Sequence, residues 1–558
     1  MKHKKHTIKL AGALLTILFF LGACQNEAGN PYLTEEYTER QSSQNVLNLT
    51  ETSEIPTMDS VLQRDMVSGN VMNNVFEGLY RQAEEGKIVL GMASDEPIIS
   101  EDGLTYTFTI RENALWSNGD PVTAKDFVFS WRRLVDPETN AMGTHLIEDI
   151  VQNASEILAG ELNPEELGVT ALDDKTLEVQ LVKPITYFSN LLTLPVFFPQ
   201  NEQFVTEMGY DYATSSETLL YNGPFTLTEW DGTGLSWIYQ KNEQYWDKNA
   251  VPLNTINVDV IKETYTAINL YNNDLVDQIM LTGEFIELEK NHSELAYIPT
   301  SSVYYLKFNQ EKNGEPTPLT NENIRQAIAK AIDKTGFVDE VLQNGSIEAD
   351  GLVPEGFAFN PEDGTDFRKE SGHLLSYNMQ EAAAHFKAGL EELGVDSISL
   401  EIIGDDTQIG RESLAYLQNN LMNALPGLEI TISNKPFYAR LVADEEQNYD
   451  IQLAGWGADY ADPINFLGLF TTGNGNNKTG FSSEYYDSLI EKAENGETDE
   501  NERWDLLLQA EEALMEEAII APVYQEYKAV LQKEKVKGII SHPVGAEYTY
   551  KWADINGE

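Results

Sequence analysis

Cysteine is nearly absent. Cys24 is the only one in the chain, so no intramolecular disulfide braces the fold and zinc sites built from several cysteines are excluded. Histidine is scarce as well. His3 and His6 fall at the N-terminus, and His145, His292, His373, His385 and His542 include no pair spaced i,i+3 or i,i+4. Bases are outnumbered by acids, 37 against 91, for a net charge of -54. That balance argues against nucleic acid, whose phosphates require a basic footprint, and against adsorption onto anionic lipid. Catalytic signatures are missing too: G-x-S-x-G, H-E-x-x-H, a Walker A loop and G-x-G-x-x-G do not occur. Gly455-Trp456-Gly457 and Gly473-Asn474-Gly475 lack the third glycine of a dinucleotide loop and read as turns. Acidic pairs such as Asp405-Asp406 and Glu511-Glu512 read as solvated surface. No enzyme activity, cofactor or metal is expected.

A membrane-spanning run is also lacking. Lys2, Lys4, Lys5 and Lys9 precede an apolar stretch from Leu10 to Leu21 and then Gly22-Ala23-Cys24. That stretch is shorter than the roughly 20 residues of a spanning helix and has the layout of a secretory signal. Leu21-Gly22-Ala23-Cys24 resembles a bacterial lipobox, which implies cleavage after residue 23 and lipidation of Cys24. Residues 24–44 are polar and read as a lipidated tether. Hydrophobic content of 41% and aromatic content of 10% exclude a disordered acidic tail. The remaining chain is too long for one core, so two lobes or more are expected.

Periodicity locates the elements. Residues 46–49, 104–110, 176–181, 225–228, 237–240, 256–261 and 304–308 read as strands. Residues 68–81 carry Val71, Val75, Phe76 and Leu79 at helical spacing, predicting a helix that ends near Gly78. Thr123 is placed to cap a helix bearing Phe127, Trp131 and Leu134, stopped by Asp136-Pro137. Beyond residue 323 the pattern alternates: helices over 323–332, 376–393, 411–425 and 503–517, strands over 399–403, 429–432 and 450–454. That alternation predicts a parallel-leaning α/β lobe. No fixed-period repeat is present, which excludes solenoids and propellers.

Three segments carry a resemblance. They are Val75-Phe76-Glu77-Gly78-Leu79-Tyr80, the run from Tyr106 to Trp131 around Leu115-Trp116-Ser117-Asn118-Gly119-Asp120-Pro121, and Ala454-Gly455-Trp456-Gly457-Ala458-Asp459-Tyr460-Ala461-Asp462-Pro463. Together they resemble the family-5 extracellular solute-binding proteins, the oligopeptide- and dipeptide-binding components of bacterial ABC importers. Met58-Asp59-Ser60 departs from the family's usual Leu-Asp-Pro, losing a proline-stiffened turn.

The resemblance implies an α/β, three-domain, type II periplasmic-binding-protein-like fold, two lobes joined by a hinge with an extra mixed α/β domain. Lobe I would comprise 45–76, 200–302 and 527–558, domain II 77–199, and lobe III 303–526. It implies a monomer, held at the outer face of the cell membrane through Cys24, that captures oligopeptides and hands them to ABC permease subunits. Asp459 matches the family aspartate that pairs with the ligand's α-amino group. Gly455, Trp456, Gly457 and Ala458 would bond the peptide backbone as an added strand, Asp65, Met66 and Val67 its other edge. Asn222 would support it from a turn, and Tyr524 is chosen because it begins the return crossover. Alternatives stay open: a receptor for one signalling peptide, a same-fold binder of a nickel complex, haem or sugar, or an envelope hydrolase or adhesin. The acidic composition would steer cationic ligands only if the cleft itself were negative, a property of the fold.

Overall fold

The computed structural model describes residues 45–84, 87–185, 187–494 and 499–555. The signal segment, the tether and Cys24 lie outside the described residues. Among the described residues no helix is long and apolar enough to cross a membrane.

Val46–Glu51 runs parallel to Thr255–Val260, which continues antiparallel through Ser236–Lys241 to Phe225–Thr228. Thr105–Thr109 and Thr176–Gln180 centre a second, antiparallel four-stranded sheet, edged by Ile98–Ile99 and Val169–Ala171. Both central strands alternate buried and open residues, as their sequences predict. The helix Ala124–Val135 packs here, started by Asp126, whose carboxylate accepts from the Thr123 N–H at 2.7 Å. These elements share one apolar core, which also takes in Val536, Tyr550 and Ala553 from the C-terminal tail.

A seven-stranded sheet organises the rest. Its order is Gln278–Leu281, Ile520–Gln532, Leu295–Phe308, Ile451–Trp456, Ile398–Asp405, Leu428–Lys435, with Ile347–Glu348 also against Ile520–Gln532. The expected parallel character holds only at one end. Ile398–Asp405 is parallel to both of its neighbours, joined by helix crossovers, whereas the long strands pair antiparallel. Ile520–Gln532 was not legible because it is buried over most of its length and does not alternate. A second core fills this part of the chain, from Val303 to Tyr524.

The two long strands run between the two cores. Their register is regular up to Pro299 opposite Tyr527 and resumes at Val303 opposite Gln525. Thr300, Ser301 and Ser302 thus face the single residue Glu526, a bulge that breaks the ladder at the point where the expected boundaries at 302/303 and 526/527 fall.

The helix expected over 68–81 is shorter, Met66–Val75. Phe76 is extended, and Asn222 takes over both backbone groups of Glu77: its Oδ1 accepts from Glu77 N at 3.0 Å and its Nδ2 donates to Glu77 O at 2.8 Å. Gly223 N donates to Val75 O at 2.9 Å, and a Cβ there would lie 2.6 Å from the Val75 carbonyl carbon. The Asn222-Gly223 turn therefore ends the helix. Where the family proline is missing, Asp59 caps the short helix Ser60–Leu62 and pairs with Arg133 at 2.8 Å.

Candidate functional site

A cavity of about 400 Å³ opens between the two cores. One wall is the strand Ile451–Trp456 and the turn after it. Opposite stand residues 63–67 and Asn70, from the start of the helix Met66–Val75. The strand pairs fully with Leu295–Phe308 on one side. On the other, among the described residues, only Ile451 and Gln452 find partners, in Ile398–Asp405, so Leu453 to Trp456 present an edge with no described strand against it. Such an edge accepts an extended chain as an extra strand.

Gly457 lets the walls approach: a Cβ there would lie 2.9 Å from Ser302 Oγ and 3.6 Å from Met66 Sδ. At Gly455 a Cβ would meet the Tyr304 ring at 2.8 Å. Tyr304 in turn stacks on Tyr524 at 4.7 Å between centroids.

Asp459 follows directly. Its N–H donates to Asn465 Oδ1 at 3.0 Å, Asn465 Nδ2 donates to its Oδ2 at 3.2 Å, and Trp456 Nε1 donates to the same Asn465 Oδ1 at 3.1 Å. Asn465, buried at the start of the short helix Ile464–Leu467, thus aims both side chains. Burial pushes the Asp459 carboxyl up to about 6, with the Asn465 hydrogen bond opposing. Among the described residues no ion pair offsets that cost. Across the cavity, Asp65 accepts from Ser68 N at 2.8 Å through Oδ1, while its Oδ2 is buried without a partner. Burial raises this carboxyl to about 6 too, against the hydrogen bonds from Ser68.

Of the residues singled out in the sequence, Asp459, Trp456, Gly455, Gly457, Asp65, Met66, Val67 and Tyr524 all line this cavity. Ala458 and Asn222 do not. Ala458 is buried with its N–H on Ser301 Oγ at 3.2 Å, and Asn222, fully buried, spends its amide on Glu77. Asn465 was missed, since its role depends on the turn that folds it back onto Asp459. Glu51, Glu526, Lys528 and Glu547 were missed because the strand and tail that carry them meet only in the fold.

Ion pairs cross the cavity's flanks. Arg64 meets Glu445 at 2.9 Å, Lys262 bridges Glu54 at 3.3 Å and Asp406 at 2.6 Å, and Tyr187 stacks on Tyr460 at 5.3 Å. A strand edge with a half-buried carboxylate beyond its end, between two such halves, has the form of a site for an extended ligand.

The family model for bacterial extracellular solute-binding proteins, family 5 (middle), matches residues 87–478. The dipeptide-binding protein DppE of Bacillus subtilis is 33% identical over 557 residues, covering 100% of both chains. The chain belongs to the family-5 extracellular solute-binding proteins. The structure of Listeria monocytogenes OppA bound to peptide is 45% identical, with a TM-score of 0.90 over 92% of this chain and 100% of that one. The structure of the Escherichia coli murein tripeptide-binding protein MppA and an unliganded open form of MppA are each 28% identical over 92% of this chain, with 99% and 98% of those chains covered. They match with TM-scores of 0.83 and, for the unliganded open form, 0.57. The present arrangement is thus unlike the open form. The fold is the three-domain solute-binding architecture expected from the sequence.

Proposed function

We propose that this protein is an extracytoplasmic peptide receptor, anchored through a lipid on Cys24, that encloses oligopeptides and delivers them to the permease of an ABC importer. It works as a monomer. Lobe I (45–76, 200–302, 527–558) and domain II (77–199) close on lobe III (303–526), with the bulge in the two long strands as the flexing point. The peptide enters as a strand along Leu453 to Trp456 and is gripped on its other edge by Asp65, Met66 and Val67. Its α-ammonium pairs with Asp459, which fixes its direction. One observation carries the reading: an unpaired strand edge lining the cavity leads to a half-buried carboxylate that, among the described residues, has no cation of its own. A carboxylate in that state is costly, and an ammonium removes the cost. The names of the relatives, among them a dipeptide-binding protein and a structure with peptide bound, support the ligand class.

The test is calorimetry on the purified full-length protein in mild detergent, stripped of co-purified ligand. A mixed pool of short peptides is titrated, then the same pool N-acetylated. Binding is expected from the free pool and not from the acetylated one, and it is expected to fall sharply in Asp459→Ala. Equal binding of both pools would refute the role of Asp459, and silence from both would refute peptide reception.

A further inference from the structure

The turn after the strand Ile451–Trp456 makes a different contact at each of three consecutive residues. Ala458 N donates to Ser301 Oγ at 3.2 Å, within the bulge of the two long strands, and Ala458 O accepts from Gly545 N of the C-terminal tail at 2.7 Å. Asp459 lines the cavity. Tyr460 stacks on Tyr187, with centroids 5.3 Å apart and the rings 7° from parallel. One short stretch of backbone thus joins the bulge, the ligand site and an aromatic stack.

The two rings are based in different cores. Tyr187 immediately precedes the short helix Phe188–Leu191, whose Phe188 and Leu191 are buried in the first core. The turn that carries Tyr460 is pinned to the second. Arg503 Nη2 donates to Asp462 Oδ1 at 2.9 Å and Arg503 Nε to Ala493 O at 3.0 Å, which ties the turn to the helices Glu484–Glu494 and Glu500–Glu516. Tyr486, Leu489, Trp504 and Leu507 of those helices are buried in the second core. Tyr460 itself packs against both cores. Beside the stack, Lys183 Nζ donates to Glu494 O, a second link between the same two parts.

Neither Tyr187 nor Tyr460 lines the cavity, so a ligand filling it meets Asp459 without touching either ring. Their face-to-face contact is an aromatic pair at favourable separation. It is formed only while the two cores are together, and it is lost when they part. A contact of that kind acts on the lifetime of the closed state and hence on ligand release, more than on ligand entry.

Resting on the peptide-receptor reading above, we propose that the Tyr187–Tyr460 stack is a latch that holds the two cores closed over a bound peptide and sets the rate at which the peptide leaves. The latch answers to the ligand through the chain itself. Asp459, which takes the α-ammonium, is bonded directly to Tyr460, so a ligand that fixes Asp459 also steadies the backbone that presents the ring to Tyr187.

The experiment measures release from the full-length protein in mild detergent. A tritiated pool of short peptides is bound, then chased with excess unlabelled pool and followed by rapid filtration. Tyr187→Ala is expected to speed release about tenfold while changing the association rate less than about threefold. Tyr187→Phe keeps the ring face and is expected to release within about twofold of the wild type. Tyr460→Ala should match Tyr187→Ala, and the double variant should exceed either by less than about threefold, because each single change already breaks the same contact. Tyr187→Leu, which keeps apolar cover and loses the stack, carries the same test if the alanine variant fails to fold. Release unchanged in Tyr187→Ala, or a double variant showing the product of the two single effects, overturns the latch while leaving peptide reception intact. Absence of binding by the wild type overturns peptide reception and the latch with it.

Discussion

Acidification should release the ligand, with a midpoint that reports on Asp459. In the ligand-free cavity this carboxyl is raised to about 6, chiefly by burial. An α-ammonium binding beside it lowers that value, because the ion pair favours the charged form. The sign follows. Affinity is complete above the raised value of the free protein and is lost as pH falls through it, since each bound amine must then displace a proton. Below pH 6 the dissociation constant of a peptide without charged side chains should rise about tenfold per pH unit. Between pH 5 and 6.5 the peptide's own amine stays more than about nine-tenths protonated, so the change there belongs to the protein. Near pH 6 binding should release about half a proton, measurable by calorimetry in two buffers of different ionisation enthalpy. Asp459→Asn removes the pair and should cost about 2 kcal/mol or more, roughly thirtyfold, at pH 7.5. Glu51 and Asp65 titrate nearby, so the decisive comparison is the difference between the wild-type and variant profiles. Parallel profiles, or a loss under about threefold in the variant, would refute the reasoning.

Two other substitutions separate architecture from binding. Asn222→Ala should lower stability by about 3 kcal/mol, read from urea denaturation, because it strips both buried backbone groups of Glu77 of their partners. Its peptide affinity should stay within about threefold, since the side chain lies off the cavity. Gly455→Ala should do the reverse: the new Cβ displaces Tyr304 from its stack on Tyr524 in the cavity floor. Overpacking of about 1–3 kcal/mol should appear mainly as weaker peptide binding in calorimetry, and unaltered affinity would count against Tyr304 as part of the floor.

Much of this molecule was written locally. Alternation in 105–109 and 176–180 and the Thr123 cap with Asp126 three residues on are short-range signals, and the elements formed there. The turn from Gly455 to Asp459 was legible as a unit because all its residues are consecutive. The helix over Met66–Val75 was misjudged by its apolar spacing, because its end is decided by Asn222, far along the chain. The same distance hid Ile520–Gln532, whose buried strand carries no alternation to read.

Composition alone established an acidic protein, with too few bases for nucleic acid and too few cysteines for disulfides. Whether its binding cavity is acidic could be settled only by pairing charges across the fold. Lys307 meets Asp444, Arg440 meets Asp405 and Lys528 meets Glu547. A charge count is a property of the sequence, but Coulomb energy depends on separation and burial, and those are fixed only when strands distant along the chain come together.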